Sequence, residues 1–309
     1  IGFSPAHLIV ARGQTLTVDG VRYAVANPYT ALRDMIPADC IAREYAGGLV
    51  GYMSYDAVNY IEPSVSVKVH PRFPEFMFGL HTDGLVLDTM TKELFYFFYE
   101  DNRIDEIHRL LRETPSVGTV EVGSLGNSLT REEHRAAVER TKESIRDGYT
   151  FQCEVGMKSE YRIDGATIPI YARLRETNPS PFMYYVKFGE KKIIGASPEL
   201  LLSVRDRSIE THPLAGTIRR GRTPLEDITL ARTLLRDPKE AAEHRMLVDM
   251  HRNDIGRVSQ FGSVSVRSLM NVRRYPFVQH IASEISGILR PGEDMFTALQ
   301  SLMPGGVVS

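Results

Sequence analysis

Residues 237–257 are the part of the sequence whose local structure is most restricted. Asp237 is a good helix N-cap, and Pro238 follows at the first helical position, where its missing amide hydrogen costs nothing. The apolar residues that can form one buried stripe along this segment are Met246, Leu247 and Met250. The segment therefore predicts a capped amphipathic helix, around which the neighbouring elements must pack.

Two acidic residues of this helix, Glu240 and Glu243, are three positions apart and so share one helix face. Paired carboxylates repel each other unless a cation lies between them, and a hard divalent ion such as Mg²⁺ prefers oxygen ligands. Acidic residues are also common in the first turn of ordinary helices, where the macrodipole stabilises them. The pair alone is compatible with a metal site and with a plain helix start.

The first hundred residues predict mainly strands. Short β-branched runs occur at 7–11, 15–18 and 21–25, and Asp19-Gly20 has the composition of a two-residue hairpin turn. The aromatic run at 93–99 predicts a buried strand. Helices are predicted at 29–35 and 102–112 from their apolar spacing.

The second half predicts strands that alternate with helices. Thr130 and Glu133 form the pattern of a capping box, so a helix should begin there and end near Gly148. Strands are predicted at 151–155, 182–188, 192–194, 200–204 and 208–211, and helices at 169–175 and 225–235. Short connections between neighbouring strands favour antiparallel sheets with helices outside them, an α+β fold.

Three regions are expected along the chain. Residues 1–112 form a strand-rich part, and residues 113–127, which are rich in Gly, Ser, Thr and Pro, form a linker or surface loop. Residues 128–309 form the larger second region. The chain starts at Ile1 without Met and stops three residues after Gly305-Gly306, so we expect it to be a piece of a longer protein.

Composition excludes several classes of protein. The net charge of −2 over 309 residues gives no electrostatic reason to expect a nucleic-acid partner, and no apolar run is long enough to span a membrane. The three arginines Arg219, Arg220 and Arg222 fit a small anionic ligand or a solvated loop. Cys40 and Cys153 are far apart and fit no zinc spacing, so a reducing, cytoplasmic location is expected.

Three further segments carry residues that are suited to chemistry. "GASPELL" places Glu199 between two predicted strands, and "HPLAGTIRRG" places Gly216 and Thr217 in a turn whose amides and hydroxyl could contact an anion. "VQHI" places His280 inside an apolar run. Taken singly, each segment also fits an ordinary turn or a satisfied core histidine.

Six segments occur in a recognisable order: "FQCEV", "NPSPFMYYVKFG", "GASPELL", "PLAGT", "DPKEAAEHRMLVDMHRNDIGRV" and "VQHI". The order and the residues of these segments resemble those of the chorismate-utilising enzymes, the catalytic subunits of anthranilate synthase and its relatives. The resemblance covers nearly the whole chain. It implies antiparallel sheets packed face to face, with helices outside and the chorismate-binding catalytic site in the cleft between the sheets.

The resemblance also implies roles for individual residues. Glu240 and Glu243 match the carboxylates that bind Mg²⁺, which bridges to the substrate carboxylate. Glu199 matches the acid that protonates the departing C4 hydroxyl, and His280 matches the histidine near that leaving group. The residues that match the turn in contact with the substrate are Gly216 and Thr217.

Two positions distinguish members of this family. Gln152 stands where isochorismate and salicylate synthases have a lysine that activates water, and an amide cannot act as that base. Ala215 stands where aminodeoxychorismate synthases commonly have a lysine. The combination resembles anthranilate synthase, which uses ammonia supplied from glutamine by an amidotransferase subunit. An aminodeoxychorismate or aminodeoxyisochorismate synthase is the alternative.

The segment "NPSPFMYY" resembles part of the tryptophan feedback site of anthranilate synthases. The matching residues are Asn178, Pro179, Ser180, Pro181, Met183 and Tyr184. Two departures from the family pattern are His251, where a small residue is usual, and Ile218, which follows Gly-Thr in place of arginine. These departures leave a further alternative, a catalytically inactive subunit that keeps the fold and binds chorismate.

Overall fold

The computed structural model describes residues 1–36, 47–99, 101–113, 117–150 and 152–305. The chain divides into two compact units, Ile1–Pro115 and Ser116–Ser309. The division falls inside the segment that the sequence indicates as a linker. None of the helices in the described part of the chain combines the length and apolar character that crossing a lipid bilayer requires.

The first unit contains an antiparallel sheet and a separate hairpin. Its elements are β1 (His7–Arg12), β2 (Thr15–Val18), β3 (Val21–Ala24), α1 (Pro28–Met35), β4 (Gly48–Met53), a 3₁₀ helix (Tyr55–Tyr60), β5 (Phe76–His81), β6 (Asp83–Leu87), β7 (Leu94–Phe98) and α2 (Ile104–Arg112). Five strands pair in the order β3-β2-β1-β5-β4, and β6 pairs with β7. The predicted hairpin turn is confirmed, because Asp19 and Gly20 both have positive φ between β2 and β3.

The second unit contains the remaining elements. They are β8 (Val120–Asn127), α3 (Arg131–Arg146), β9 (Ser159–Gly165), α4 (Ile168–Thr177), β10 (Phe182–Phe188), β11 (Lys191–Ser197), β12 (Leu200–Arg205), β13 (Ser208–His212), β14 (Leu214–Arg219), α5 (Pro224–Arg236), α6 (Pro238–Gly256), β15 (Ser265–Arg274), β16 (Val278–Ile288) and α7 (Met295–Leu302). The capping box of α3 is confirmed at Thr130 and Glu133. The α+β class with antiparallel sheets is confirmed.

Strand β16 organises the second unit. It pairs antiparallel with β13, β14 and β15, and the main sheet has the order β12-β13-β16-β14. Helix α6 packs on β14, β15 and β16. The buried apolar residues that join the sheet to α6 and α7 are Ile209, Val248, Ile255, Val258, Ile285, Leu289, Ala298 and Leu302. This core holds α6 against the strands that carry Gly216, Thr217 and His280.

Three local predictions are wrong. Most of the expected linker is strand β8, whose alternating Val120 and Val122 pair with β9, so Gly and Ser content alone misled the prediction. Residues 152–155 form no strand, and residue 151 of that prediction lies outside the described residues. Strand β7 exists, but Phe95 and Phe98 are 50% and 47% exposed, because a two-stranded sheet leaves its aromatic faces partly uncovered.

Candidate active site

The acidic pair of α6 forms the first part of the candidate site. Asp237 caps the helix by accepting hydrogen bonds from the backbone amides of Lys239 and Glu240, at 2.9 and 3.2 Å. The ammonium of Lys239 lies 3.0 Å from Glu240 Oε1 and 3.5 Å from Glu243 Oε2. One positive charge therefore bridges both carboxylates and offsets their mutual repulsion. The predicted helix and its cap are confirmed.

Gly216 lies at a bulge in β14 that brings the strand close to these carboxylates. The pairing with β16 shifts register between Ala215 and Thr217, and Gly216 has φ of +76°. A Cβ atom at Gly216 would lie 3.2 Å from Glu240 Oε2 and 3.1 Å from Ile281 Cδ1. The sequence predicts a turn here, and that prediction is wrong: Gly216 and Thr217 lie in a strand, and the bulge supplies the local bend that a turn would have given.

Replacement of Gly216 by alanine should lower the stability of the protein by about 1 to 3 kcal/mol, because a side chain strains the left-handed backbone and meets Glu240. Urea-induced unfolding followed by circular dichroism measures the change. Gly256→Ala is the matched control, since a Cβ at Gly256 has nothing within 4 Å. Equal stability of the two variants would contradict the close approach at Gly216.

His280 of β16 lies directly across from Thr217 of β14. Its Nδ1 is 3.2 Å from the carbonyl oxygen of Gly216 and 3.0 Å from Thr217 Oγ1. Because a carbonyl can only accept, the contact with Gly216 requires a hydrogen on Nδ1, and in the tautomer with hydrogen on Nδ1 alone Nε2 is an acceptor. Within the described residues Nε2 has no hydrogen-bond partner, so it is the atom available to a ligand.

Glu199 is attached to the start of β14. Its Oε1 accepts a hydrogen bond of 3.0 Å from the backbone amide of Leu214. Tyr275 lies between His280 and the backbone just before Glu199, because its hydroxyl donates to the carbonyl oxygen of Pro198 at 3.4 Å and its ring centroid lies 5.6 Å from that of His280. The side chains of Glu199 and His280 are thus both anchored to β14, at opposite ends of a short stretch of strand.

The predicted magnesium ligands, Glu240 and Glu243, have a definite arrangement in the structure. Among the described residues, no group of three or more His, Cys, Asp or Glu side chains is arranged to hold a metal ion. Glu240 and Glu243 are partly buried, with side chains 21% and 29% exposed, and already converge on one cation. They therefore fit two oxygen ligands of a larger shell, in which Mg²⁺ would take the place of the ammonium.

Two histidines behind the acidic pair face the sheet. His244 is fully buried, its Nε2 lies 2.7 Å from Ser283 Oγ, and burial lowers its pKa to about 4. His251, the departure from the family pattern, has its Nδ1 2.7 Å from the hydroxyl of fully buried Thr211. Burial, and then the neighbouring His244, lower the pKa of His251 to about 4. The hydrogen bond to Thr211 thus gives a polar partner to the histidine, which is larger than the residue usual at this position in the family.

Acidification should destabilise the protein through His251. Its pKa is about 4 when folded and 6.5 when unfolded, so the unfolded state binds more protons and stability falls as pH drops below 6.5. Between pH 7 and pH 5 this residue should account for a loss of about 2 kcal/mol. Urea unfolding at the two pH values should show a smaller loss in His251→Gln. Equal losses would contradict the buried neutral state.

The remaining predicted site residues lie elsewhere in the second unit. Gln152 lies outside any strand, and its carbonyl oxygen accepts a 2.8 Å hydrogen bond from the hydroxyl of Thr150. Asn178 ends α4, and Met183 and Tyr184 lie in β10, where Tyr184 pairs with Gly195 of β11 and covers it. No contact described for these residues joins them to Glu240 or His280.

Two of the three clustered arginines form ion pairs with acidic residues of helix α5. Arg219 pairs with Glu226, and Arg220 pairs with Asp227. Hydrogen bonds from the Arg220 side chain and from the Gly221 amide lower the pKa of Asp227 to about 2. Gln279, which precedes His280, donates to Asp227 Oδ1 at 3.2 Å. These ion pairs explain Arg219 and Arg220 without an anionic ligand.

Sequence reasoning missed Lys239 and Tyr275. The spacing of Lys239 one and four residues before the two glutamates was a usable signal, since side chains four apart on a helix can pair. Tyr275 offered no comparable signal, because its contact with Pro198 joins positions that are 77 residues apart.

Comparison with known proteins gives a consistent result. The family model described as chorismate binding enzyme matches residues 2–309. Anthranilate synthase component 1 of Leptospira biflexa is 46% identical over 313 residues, which cover all of this chain and 68% of that protein. Aminodeoxychorismate synthase component 1 of Bacillus subtilis is 35% identical over 86% of this chain and 60% of that protein.

A solved structure has the same fold. The crystal structure of anthranilate synthase component I from Streptococcus pneumoniae TIGR4 matches with a TM-score of 0.88 and 28% identity, over 99% of this chain and 72% of that one. The agreement in sequence and in fold covers all of the residues that form the site described above. The chain therefore belongs to the family of chorismate binding enzymes.

Proposed function

We propose that this chain is the catalytic component of an anthranilate synthase, which converts chorismate and ammonia to anthranilate and pyruvate in tryptophan biosynthesis. The observation that carries the proposal is the position of Gly216. Its carbonyl oxygen binds His280 while its Cα faces Glu240, so one residue joins the strand pair to the acidic helix. The similarity to anthranilate synthase component 1 from Leptospira biflexa supports the same reading.

The proposed reaction places each group in a definite role. Ammonia attacks C2 of chorismate while the C4 hydroxyl leaves, and a second step expels pyruvate. Glu199 donates a proton to the departing C4 oxygen, because a hydroxyl leaves as water far more easily than as hydroxide. Nε2 of His280, which lacks a hydrogen-bond partner within the described residues, would lie beside the departing C4 oxygen and contact it. The amide of Gln152 does not titrate and so leaves ammonia, rather than an activated water, as the nucleophile.

Magnesium is part of the proposal. Glu240 and Glu243 would hold Mg²⁺, which would bind the ring carboxylate of chorismate and draw electron density from the ring. Before the ion binds, Lys239 keeps the two carboxylates together, which reduces the reorganisation that binding requires. Thr217, whose side chain is exposed beside His280, would contact the substrate through its hydroxyl.

The proposal extends to partners, regulation and location. A glutamine amidotransferase subunit would supply ammonia, which fits the designation of the Leptospira biflexa relative as a component 1. Residues 178–181 together with Met183 and Tyr184 would form part of a tryptophan feedback site, since Met183 and Tyr184 lie in a hairpin strand that follows two prolines. A cytoplasmic location fits the sparse cysteines.

An aminodeoxychorismate synthase is the second candidate, because a protein of that name is 35% identical to this chain. Ala215 argues against it. This residue is 9% exposed and pairs with Ile281 in the sheet, so it offers no nucleophile at the position where that class commonly has lysine.

Product analysis distinguishes the candidates. The natural protein carrying this sequence is incubated with chorismate, Mg²⁺ and ¹⁵N-labelled ammonium. The products are then separated by chromatography and identified by mass spectrometry. Labelled anthranilate and free pyruvate are expected. A labelled product that retains the enolpyruvyl group, or unlabelled isochorismate, would overturn the assignment to anthranilate synthase.

A further inference from the structure

His244 of α6 connects the two parts of the candidate site, the acidic pair on α6 and His280 on β16. It follows Glu243 on α6, and its Nε2 is 2.7 Å from the hydroxyl of Ser283, which is three residues beyond His280 on β16. Both His244 and Ser283 are fully buried. This contact is therefore a direct polar connection between the helix that carries the acidic pair and the strand that carries His280.

Ser283 is itself fixed from two other directions. Its hydroxyl accepts a 3.0 Å hydrogen bond from the backbone amide of Met270, at an irregular point of β15, and its own amide donates to the carbonyl oxygen of Pro213 at 3.2 Å. Pro213 directly precedes β14. Ser283 thus ties together β14, β15 and β16, and His244 attaches α6 to that junction.

Apolar contacts alone would not fix α6 at this junction. Leu247 and Val248 are buried along the same helix, but such contacts are not directional and tolerate small shifts. A hydrogen bond of 2.7 Å allows little change in distance or angle. Glu240 lies one turn before His244. A rotation or slide of α6 at His244 would therefore move the carboxylate of Glu240 away from the bulge at Gly216.

We propose that His244 is a positioning residue, which through Ser283 holds α6 so that Glu240 and Glu243 lie at the Gly216 bulge, where metal and substrate bind. The inference rests on the proposed function for the identity of those ligands. His244 touches neither ligand in this account. It acts on the acidic pair through the position of the helix, and loss of residues that orient metal ligands from outside typically costs about 10- to 100-fold in affinity.

His251 provides a matched control. Its Nδ1 makes an equally short hydrogen bond, 2.7 Å to the buried hydroxyl of Thr211, at the same helix–sheet interface. It lies eight residues beyond Glu243, about 12 Å farther along the helix axis. His244→Leu and His251→Leu each remove one histidine–hydroxyl hydrogen bond between α6 and the sheet, but only the first lies beside the acidic pair. A purely structural role predicts the same behaviour for both variants.

Calorimetric titration of the natural protein with chorismate in the presence of Mg²⁺ tests the inference. His244→Leu should weaken binding at least about tenfold, the usual effect of losing an outer partner of a metal ligand. His251→Leu should remain within about twofold of wild type, because its site is distant. His244→Gln should recover most of the affinity, since its amide nitrogen is as many bonds from Cα as Nε2. Equal effects of the two leucine variants would overturn the inference.

A second readout needs neither ligand nor turnover. Hydrogen exchange at the backbone amides of β14 from residue 216 to 219 should become faster in His244→Leu than in His251→Leu, because only the first loosens α6 at the bulge. Equal exchange in the two variants would overturn the positioning role. A wild-type protein that binds no chorismate would instead overturn the proposed function, while the exchange comparison would still decide the role of His244.

Discussion

Replacement of Glu199 by glutamine should lower kcat for anthranilate formation about a thousandfold, within the range that a positioned general acid contributes. Glutamine has nearly the same shape, and its amide oxygen can still accept the 3.0 Å hydrogen bond from the amide of Leu214. It cannot, however, give a proton to the departing C4 oxygen. Binding of chorismate should therefore change little, and the loss should appear in kcat rather than in KM. Steady-state anthranilate fluorescence measures both.

Glu210→Gln is the control for this variant. Glu210 lies in β13 of the same sheet and pairs with Arg267 on the neighbouring surface, away from Leu214 and His280. Its replacement removes the same charge and should leave kcat unchanged. A Glu199→Gln protein that keeps more than about a tenth of wild-type kcat would exclude Glu199 as the general acid, since such acids contribute at least about a hundredfold.

Replacement of Glu243 by glutamine should abolish Mg²⁺-dependent turnover. Loss of a partner that only supports a metal ligand costs up to about 100-fold in affinity, and loss of a ligand's own charge should cost at least as much. The helix itself should persist, because Lys239 still pairs with Glu240 at 3.0 Å and Asp237 still caps α6. Turnover as a function of Mg²⁺ concentration and Mn²⁺ binding followed by electron paramagnetic resonance both report the effect.

Asp249→Asn is the matched control for Glu243→Gln. Asp249 lies on the same helix, and its carboxylate is paired with Arg252 at 3.1 Å on an exposed surface. Removal of this charge should leave both Mn²⁺ binding and turnover unchanged. If Glu243→Gln also retains them, Glu243 does not ligate the metal, and the acidic pair is an ordinary helix start bridged by a lysine.

Local chemistry was enough to predict the helix ends and the shortest turn. Asp237 and Thr130 cap their helices through side-chain oxygens, and Asp19-Gly20 forms the hairpin turn that its composition favours. Each of these features depends on residues within about four positions of one another, so a pattern in the sequence is sufficient. The same holds for the shared helix face of Glu240 and Glu243.

The assembled site could not be predicted in this way. The contact of His280 with Thr217 spans 63 residues, and that of His244 with Ser283 spans 39. Both depend on the register of β14 and β16, including the bulge at Gly216 that was predicted to be a turn. A one-residue change of register would send these side chains to the other face. The resemblance to a family was enough to predict which residues belong to the site, but their contacts with one another could be found only from the folded structure.

The measurement that tests the central claim most directly is the fluorescence of anthranilate formed by the natural protein from chorismate and ammonium, with Mg²⁺ present and then removed by a chelator. A steady rise in fluorescence that requires both ammonium and Mg²⁺ is expected, because in the proposed mechanism Glu240 and Glu243 would hold the metal and Glu199 would protonate the leaving group. Consumption of chorismate without anthranilate, or a rise that persists after Mg²⁺ is removed, would contradict the account.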